Sequence, residues 1–358
     1  MKLIRLPGLI DIHAHLRDPG ETHKEDFYSG SCAALAGGIS AVFDMPNNIK
    51  PVFTSAALEE KISTAKKKAV CDFGLYFGST GDNITEFEKV AGKVAGLKIY
   101  LSTTTGKYVI ADPDIIKNIF KAWPKKKVVV VHAEGDRVDL AVGMSQKFGN
   151  KIHITHVSDQ QSLQKIIAAK KDKLPLTCDV TPHHLFLTEG YGKRGLSPQG
   201  TVPGIFSVKP PLASQKDQDY LWQNLQWIDC LVSDHAPHTL VEKKSAEPAY
   251  GFPGLETMLP LMLNTVSDGR ISIKEITRLL HEGPVKIFNL KIDASTFTEV
   301  DLEEEYLIEN DKLLTKCRWS PFNGWPVKGK VKKVYLRGKL VFDNGKILVR
   351  QGFGNCLY

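Results

Sequence analysis

His13 and His15 stand two residues apart in the run PGLIDIHAHLRDPG. On an extended strand such a pair shares one face, so both imidazoles can grip a single metal ion. Either histidine alone reads more naturally as a core or hydrogen-bonded side chain. That reading loses once His132, His156 and Asp234 are added, because each closes another short apolar run. Nitrogen and carboxylate donors of this kind suit zinc and leave other divalent ions open. Lys98, in GLKIYL, is the odd member, because an ammonium facing metal-binding histidines is repelled. Two readings stand for it: a surface lysine, or one converted by carbon dioxide into a carbamate whose two oxygens bridge a pair of metals. A two-metal centre with a bridging hydroxide polarises a carbonyl and stabilises a tetrahedral oxyanion, as amide hydrolysis or its reversal requires.

The residues around this set describe a binder of anions. Asp234, in SDHAPH, can be both ligand and proton shuttle, and His238 follows as a donor within reach of a substrate carboxylate. Arg17 supplies the fork that carboxylates prefer, and Asn47, in DMPNN, adds a directed amide. Singly, each passes for an ordinary loop residue. Around one mouth they make a pocket for an acidic substrate beside a metal pair.

The elements that would gather them are legible in the apolar pattern. Eight β-rich runs, at 9–12, 39–45, 72–78, 96–101, 127–131, 152–157, 176–180 and 229–233, alternate with turns or helical spacing. Helices are predicted over 26–36, 55–68, 114–123, 137–148, 160–169 and 215–226. That alternation predicts an α/β protein with a (β/α)8 TIM barrel. His13, His15, Asn47, Lys98, His132, His156, Asp179 and Asp234 all sit at the ends of these runs, which in a barrel point to one mouth. Further helices are predicted over 255–267, 273–281 and 285–288. Alternating runs at 331–336, 339–342 and 346–349 then form a β unit, with Asp343-Asn344-Gly345 as a hairpin turn. Three short strands bury too little alone, so they should pack on the barrel or be completed by the first residues. The expected division is a barrel over 8–290 and a small accessory β domain from 1–7 and 291–358.

Composition excludes several classes. The 358 residues are 42% hydrophobic and 24% charged, the proportions of a globular rather than a disordered or fibrous protein. The net charge of +7 is spread through lysine runs at 66–68, 125–127 and 170–173 without aromatic interleaving, which reads as solvated faces and not as a nucleic-acid surface. A basic balance still suits an anionic small substrate. The six cysteines form no CxxC pair, so a reducing, cytoplasmic setting is expected. No apolar run approaches the roughly 20 residues of a membrane span. The opening residues lead abruptly into PGLIDIHAH, as in a domain with an upstream neighbour.

PGLIDIHAHLRDPG at 7–20, DMPNN at 44–48, GLKIY at 96–100, VHAE at 131–134, HVS at 156–158, PHHLF at 182–186, SDHAPHTLVEK at 233–243 and GFPGLETMLPL at 251–261 together resemble dihydroorotases. The likeness is nearest to the dihydroorotase domain of CAD, the animal-type multifunctional pyrimidine-synthesis polypeptide. Hydantoinases and allantoinases share the metal set but generally lack the combination HxHLR, MPN and DHAPH. The resemblance implies reversible cyclisation of N-carbamoyl-L-aspartate to L-dihydroorotate. It implies one zinc on His13, His15, carboxylated Lys98 and Asp234, a second on Lys98, His132 and His156, and Asp234 as proton shuttle. Arg17, Asn47 and His238 would bind the substrate's carboxylate, and the loop after Lys98 would close over it. A homodimer is implied, as are covalent neighbours of the carbamoyl phosphate synthetase and aspartate transcarbamoylase types.

Four positions depart from the animal-type pattern. Thr155 stands for a cysteine and Asp179 for a glutamate, both associated with a third zinc. Lys209 replaces a substrate-binding arginine, keeping the charge and losing the fork. Thr104-Thr105 replaces Thr-Phe, as in the closing loop of single-domain bacterial dihydroorotases. Two other readings remain at this point: another cyclic amidohydrolase of the dihydropyrimidinase or hydantoinase kind, and a non-catalytic dihydroorotase-like domain kept for assembly.

Overall fold

The computed structural model describes residues 3–104, 106, 108–193 and 204–358. The eight runs form a parallel barrel from Leu9–Ala14, Ile39–Asp44, Asp72–Leu75 continued by Phe77–Gly78, Gly96–Tyr100, Val128–His132, Ile152–Ile154, Leu176–Val180 and Cys230–Leu231. Neighbours pair in parallel in that order. A parallel bridge between Ala14 and His235 closes the ring, with His15 N donating to His235 O at 2.7 Å.

Strands covered on both faces read as continuous apolar runs, of which VVVVH at Val128–His132 is the plainest. The period of two then sorts side chains between two cores. Val129, Val131, Leu97, Ile99, Cys178 and Val180 point outward under the helices. Ile10, Ile12, Phe43, Tyr76 and Val130 fill the barrel interior. By the same parity Lys98, His132, His153 and Asp179 face inward. Parity is therefore what delivers polar groups to the centre of an apolar cylinder.

The helices begin where local chemistry starts them. Asp26 caps Phe27–Ala36 in a reciprocal box with Ser29, and Thr54 caps Ser55–Lys68, which ends in Lys66, Lys67 and Lys68 where a helix favours cations. The sixth run stops at Ile154, before the predicted 157, because His156 takes φ 42° and leaves the strand conformation. The helix predicted over 273–281 is instead Ile273–Thr277, then a wider π turn at Arg278–Glu282 that runs into Gly283–Phe288.

Beside the barrel lies an antiparallel sheet ordered Leu3–Pro7, Phe297–Leu307, Pro326–Leu336, Lys339–Asp343 and Lys346–Ile347. Asn344 and Gly345, at φ 45° and 89°, form the tight turn that their residue types favour. Val300, Val331, Val334, Leu336, Val341 and Phe342 join the core shared with Met258–Ser267. No described helix is long and apolar enough to cross a membrane.

Candidate metal centre and substrate pocket

Two groups of donor atoms meet at the C-terminal mouth. His13 Nε2 and His15 Nε2 lie 3.3 and 3.2 Å from Asp234 Oδ1. Beside them His132 Nδ1 and His156 Nε2 are 3.0 Å apart, and the His13 and His156 rings are 5.2 Å apart. Burial holds His13 and His156 well below the usual imidazole range, so their ring nitrogens are neutral donors. His13 Nδ1 and His156 Nδ1 have no hydrogen-bond partner among the described residues. Four imidazoles and a carboxylate converging in this way fit a divalent metal.

The supporting contacts fix which nitrogen faces the centre. His15 Nδ1 is 2.8 Å from the amide oxygen of Asn47, which can only accept, so Nδ1 donates there and Nε2 is the nitrogen turned to Asp234. His132 Nε2 is 3.3 Å from Glu134 Oε1. Arg17, His156 and Asp234 all adopt left-handed backbone angles, φ 62°, 42° and 43°. Non-glycine residues there cost on the order of 1 kcal/mol each, and such conformers gather where side-chain aim matters more than comfort.

Lys98 is 1% exposed, which removes the surface reading. Its Nζ donates to Thr155 Oγ1 at 3.1 Å, and burial pushes its pKa down to about 7, against weaker opposing pulls from Asp179 and Asp234. A substantial fraction is therefore unprotonated amine at neutral pH. Arg17, 5% exposed, donates from Nη2 to His238 Nε2 at 3.0 Å and from Nε to Pro237 O at 3.2 Å. His238 must then accept at Nε2, and burial, with Arg17, Lys24 and Lys243 nearby, pushes its pKa down to about 2.

One pocket is lined by His13, His15, Arg17, Asn47, Lys98, Thr104, His132, His156, Lys209 and Asp234. His238 stands behind Arg17 and does not line it. Asp179 lies deeper: Oδ2 is 2.8 Å from His153 Nε2, and Oδ1 accepts from His156 N. Thr105 falls outside the described residues. Sequence reasoning missed Tyr100, Glu134 and Tyr250. Tyr100 carried a usable signal, being two residues beyond Lys98 on the same strand face. Tyr250 carried none, because it reaches the pocket from a loop.

A profile of the amidohydrolase family matches residues 4–181. The chain is 44% identical to the multifunctional protein CAD of Squalus acanthias over 99% of its own length, and it spans 16% of that relative. It is 36% identical to the dihydroorotase of Pyrococcus furiosus, covering 96% of this chain and 82% of that one. Among solved structures, the inactive dihydroorotase-like domain of a Chaetomium thermophilum CAD-like multifunctional protein superposes with TM-score 0.85 at 26% identity, over all of both chains. On this identity and coverage, the chain belongs to the dihydroorotase family of the amidohydrolases.

Proposed function

We propose that the chain is an active, zinc-dependent dihydroorotase that interconverts N-carbamoyl-L-aspartate and L-dihydroorotate in cytoplasmic pyrimidine synthesis. The carrying observation is the pairing of two donor clusters with a buried guanidinium in one pocket. His13, His15 and Asp234 would hold one zinc, His132 and His156 the other, and Lys98 would bridge them as N6-carboxylysine. The Lys98 amine attacks carbon dioxide, forming an N–C bond and releasing one proton; the product is anionic and suits a site of cations. When bound, the ions polarise the ring amide carbonyl and raise the acidity of water.

The chain's own groups do the rest. Asp234 takes a proton from the attacking water and delivers it to the departing ring nitrogen, and cyclisation retraces that path. Arg17 forks the substrate carboxylate, and Lys209 adds charge from the facing wall. The Asn47 amide N–H groups remain free to donate once its oxygen has accepted from His15, and Thr104 and Thr105 supply hydroxyls. His238 orients Arg17 and through it reaches the carboxylate. A third ion on Asp179 is the weaker reading, since both its oxygens already hold His153 and the His156 amide.

A neutral-ring substrate, as of a dihydropyrimidinase, would give the guanidinium of Arg17, which lines the pocket and is held by His238, Pro237 O and Glu21, no carboxylate to fork. The non-catalytic reading requires a defective centre, and the six ligand positions stand here. The working arrangement is a barrel over 8–290 with an accessory domain from 1–7 and 291–358, dimeric and covalently joined to carbamoyl phosphate synthetase and aspartate transcarbamoylase domains. Metal analysis combined with turnover of carbamoyl aspartate tests the reading: bound zinc without cyclisation of this substrate overturns it.

A further inference from the structure

Lys243 lies outside both donor clusters and does not line the pocket, yet it is wholly buried. It ends the short helix Leu240–Lys243, which begins two residues after His238. Its ammonium donates to three backbone carbonyls, Ser207 O at 2.7 Å, Ala249 O at 2.8 Å and Gly251 O at 3.1 Å. The Phe252 and Trp319 rings stand 5.2 and 5.8 Å from Nζ. Burial is what acts on this amine, pushing it down to about 7, and no described carboxylate offsets that cost. Desolvating an ammonium costs several kcal/mol, and a methionine would fill the space without it. The cation must therefore be understood through what it joins.

It joins two chain segments that are far apart in sequence and adjacent in the pocket wall. The 204–210 segment contributes Val208 and Lys209, and the 249–252 segment contributes Tyr250 and Gly251. A backbone bond from Gly251 N to Ser207 O, 3.1 Å long, links the same two segments. Lys209 Nζ lies 5.2 Å from the Tyr250 ring, so the cation of one wall rests against the aromatic of the other. The packing tolerates little slack: a Cβ on Gly204 would meet Lys243 O at 2.0 Å. Trp319, whose ring packs on Lys243, also donates from Nε1 to His238 O at 2.7 Å. One buried assembly thus holds the segment carrying Lys209, the segment carrying Tyr250 and the backbone behind Arg17.

We propose that Lys243 is a positioning residue for substrate recognition, its ammonium tying the 204–210 and 249–252 walls together and so setting where Lys209 meets the substrate carboxylate. It touches neither substrate nor metal. The inference rests on the dihydroorotase reading of this pocket. All three of its hydrogen bonds end on segments of the pocket wall, so removing them registers in binding before it registers in chemistry.

The test compares the wild-type protein with Lys243→Met and Lys243→Gln, measuring KM and kcat for dihydroorotate, zinc content, and backbone amide exchange. Loss of the tie raises KM about tenfold in the methionine variant, with kcat within about threefold of wild type and zinc unchanged. Glutamine, which keeps two N–H donors, recovers part of the KM. Amide exchange quickens in 204–210 and 249–252 and stays unchanged in the barrel strands. An unaltered KM with unaltered exchange overturns the proposal, as does a parallel fall in kcat and zinc content. Failure of both variants to fold assigns Lys243 to stability alone and also overturns it. If the wild-type protein does not turn over dihydroorotate, the functional reading fails, while the exchange comparison still decides whether Lys243 ties the walls.

Discussion

Lys98 Nζ lies 3.1 Å from Thr155 Oγ1, and that hydroxyl lies 3.0 Å from His156 Nε2. Two short links thus connect a buried, partly neutral amine to a nitrogen of the second donor cluster. Lys98→Ala is expected to lower turnover at least about a thousandfold, because the proposed carbamate could no longer form. Adding acetate or propionate to that variant should restore a measurable part. Full activity in the plain alanine variant would refute the carbamate role.

Arg17→Met should raise KM for dihydroorotate on the order of tenfold to a hundredfold, the scale of an unpaired carboxylate in a buried site. Zinc content should not change, since Arg17 reaches His238 and Pro237 O rather than a donor cluster. Loss of metal in this variant would show that the guanidinium supports the centre itself.

Elemental analysis of purified protein should give two zinc ions per chain. Asp179→Asn should leave that count at two, because its oxygens serve His153 and the His156 amide. Three ions in the wild-type protein, falling to two in the variant, would make Asp179 a ligand.

Lys61 and Asp44 form a pair 2.6 Å apart with exposures of 0% and 1%. Lys61 also donates to Met45 O and Asn48 Oδ1, while Asp44 Oδ1 accepts Leu16 N beside the two strand-end histidines. Lys61→Met leaves that carboxylate buried and unpaired, and should cost about 3–5 kcal/mol of stability. Thermal unfolding measures it; an unchanged midpoint would mean that water reaches Asp44.

Glu256 is half-buried against the backbone N–H groups of Leu314 and Thr315, from which its carboxylate accepts, and desolvation raises its pKa to about 7. The folded state therefore holds the proton more tightly than the unfolded state, whose pKa is near the ordinary 4.5. Its contribution is greatest below pH 4.5 and is lost as pH rises to about 7, on the order of 3 kcal/mol in all. Chemical denaturation across this window should show a slope that Glu256→Gln flattens. An identical slope in the variant would place the titration elsewhere.

Much of the barrel was legible because its signals are local. Each strand run is a few apolar residues between turns, and strand parity carries Lys98 and His132 inward without any tertiary knowledge. Phe297–Leu307 was not legible, because Glu303, Glu304 and Glu305 break its alternation. Only the fold shows that Glu304 meets Lys330 and Lys332 and that Glu303 meets Lys328 across the sheet. The site divides in the same way. The convergence of polar strand-end groups could be read from spacing, whereas Tyr250 and Lys243 gain their meaning from loops that meet after folding.

The closure of the ring at Ala14 and His235 also orders events during synthesis. His15 and Asp234 are 219 residues apart in the chain, yet their side chains meet at 3.2 Å. The two strand-end histidines leave the ribosome long before their carboxylate partner exists, so a truncated chain offers imidazoles without the carboxylate that completes their group. Metal captured by the finished donor set then binds the folded form in preference to the unfolded one and holds the first and last strands together. The chemistry and the completeness of the barrel become one checkpoint: a chain that stops short of its eighth strand lacks Asp234, the group proposed both to complete the first donor set and to move the proton.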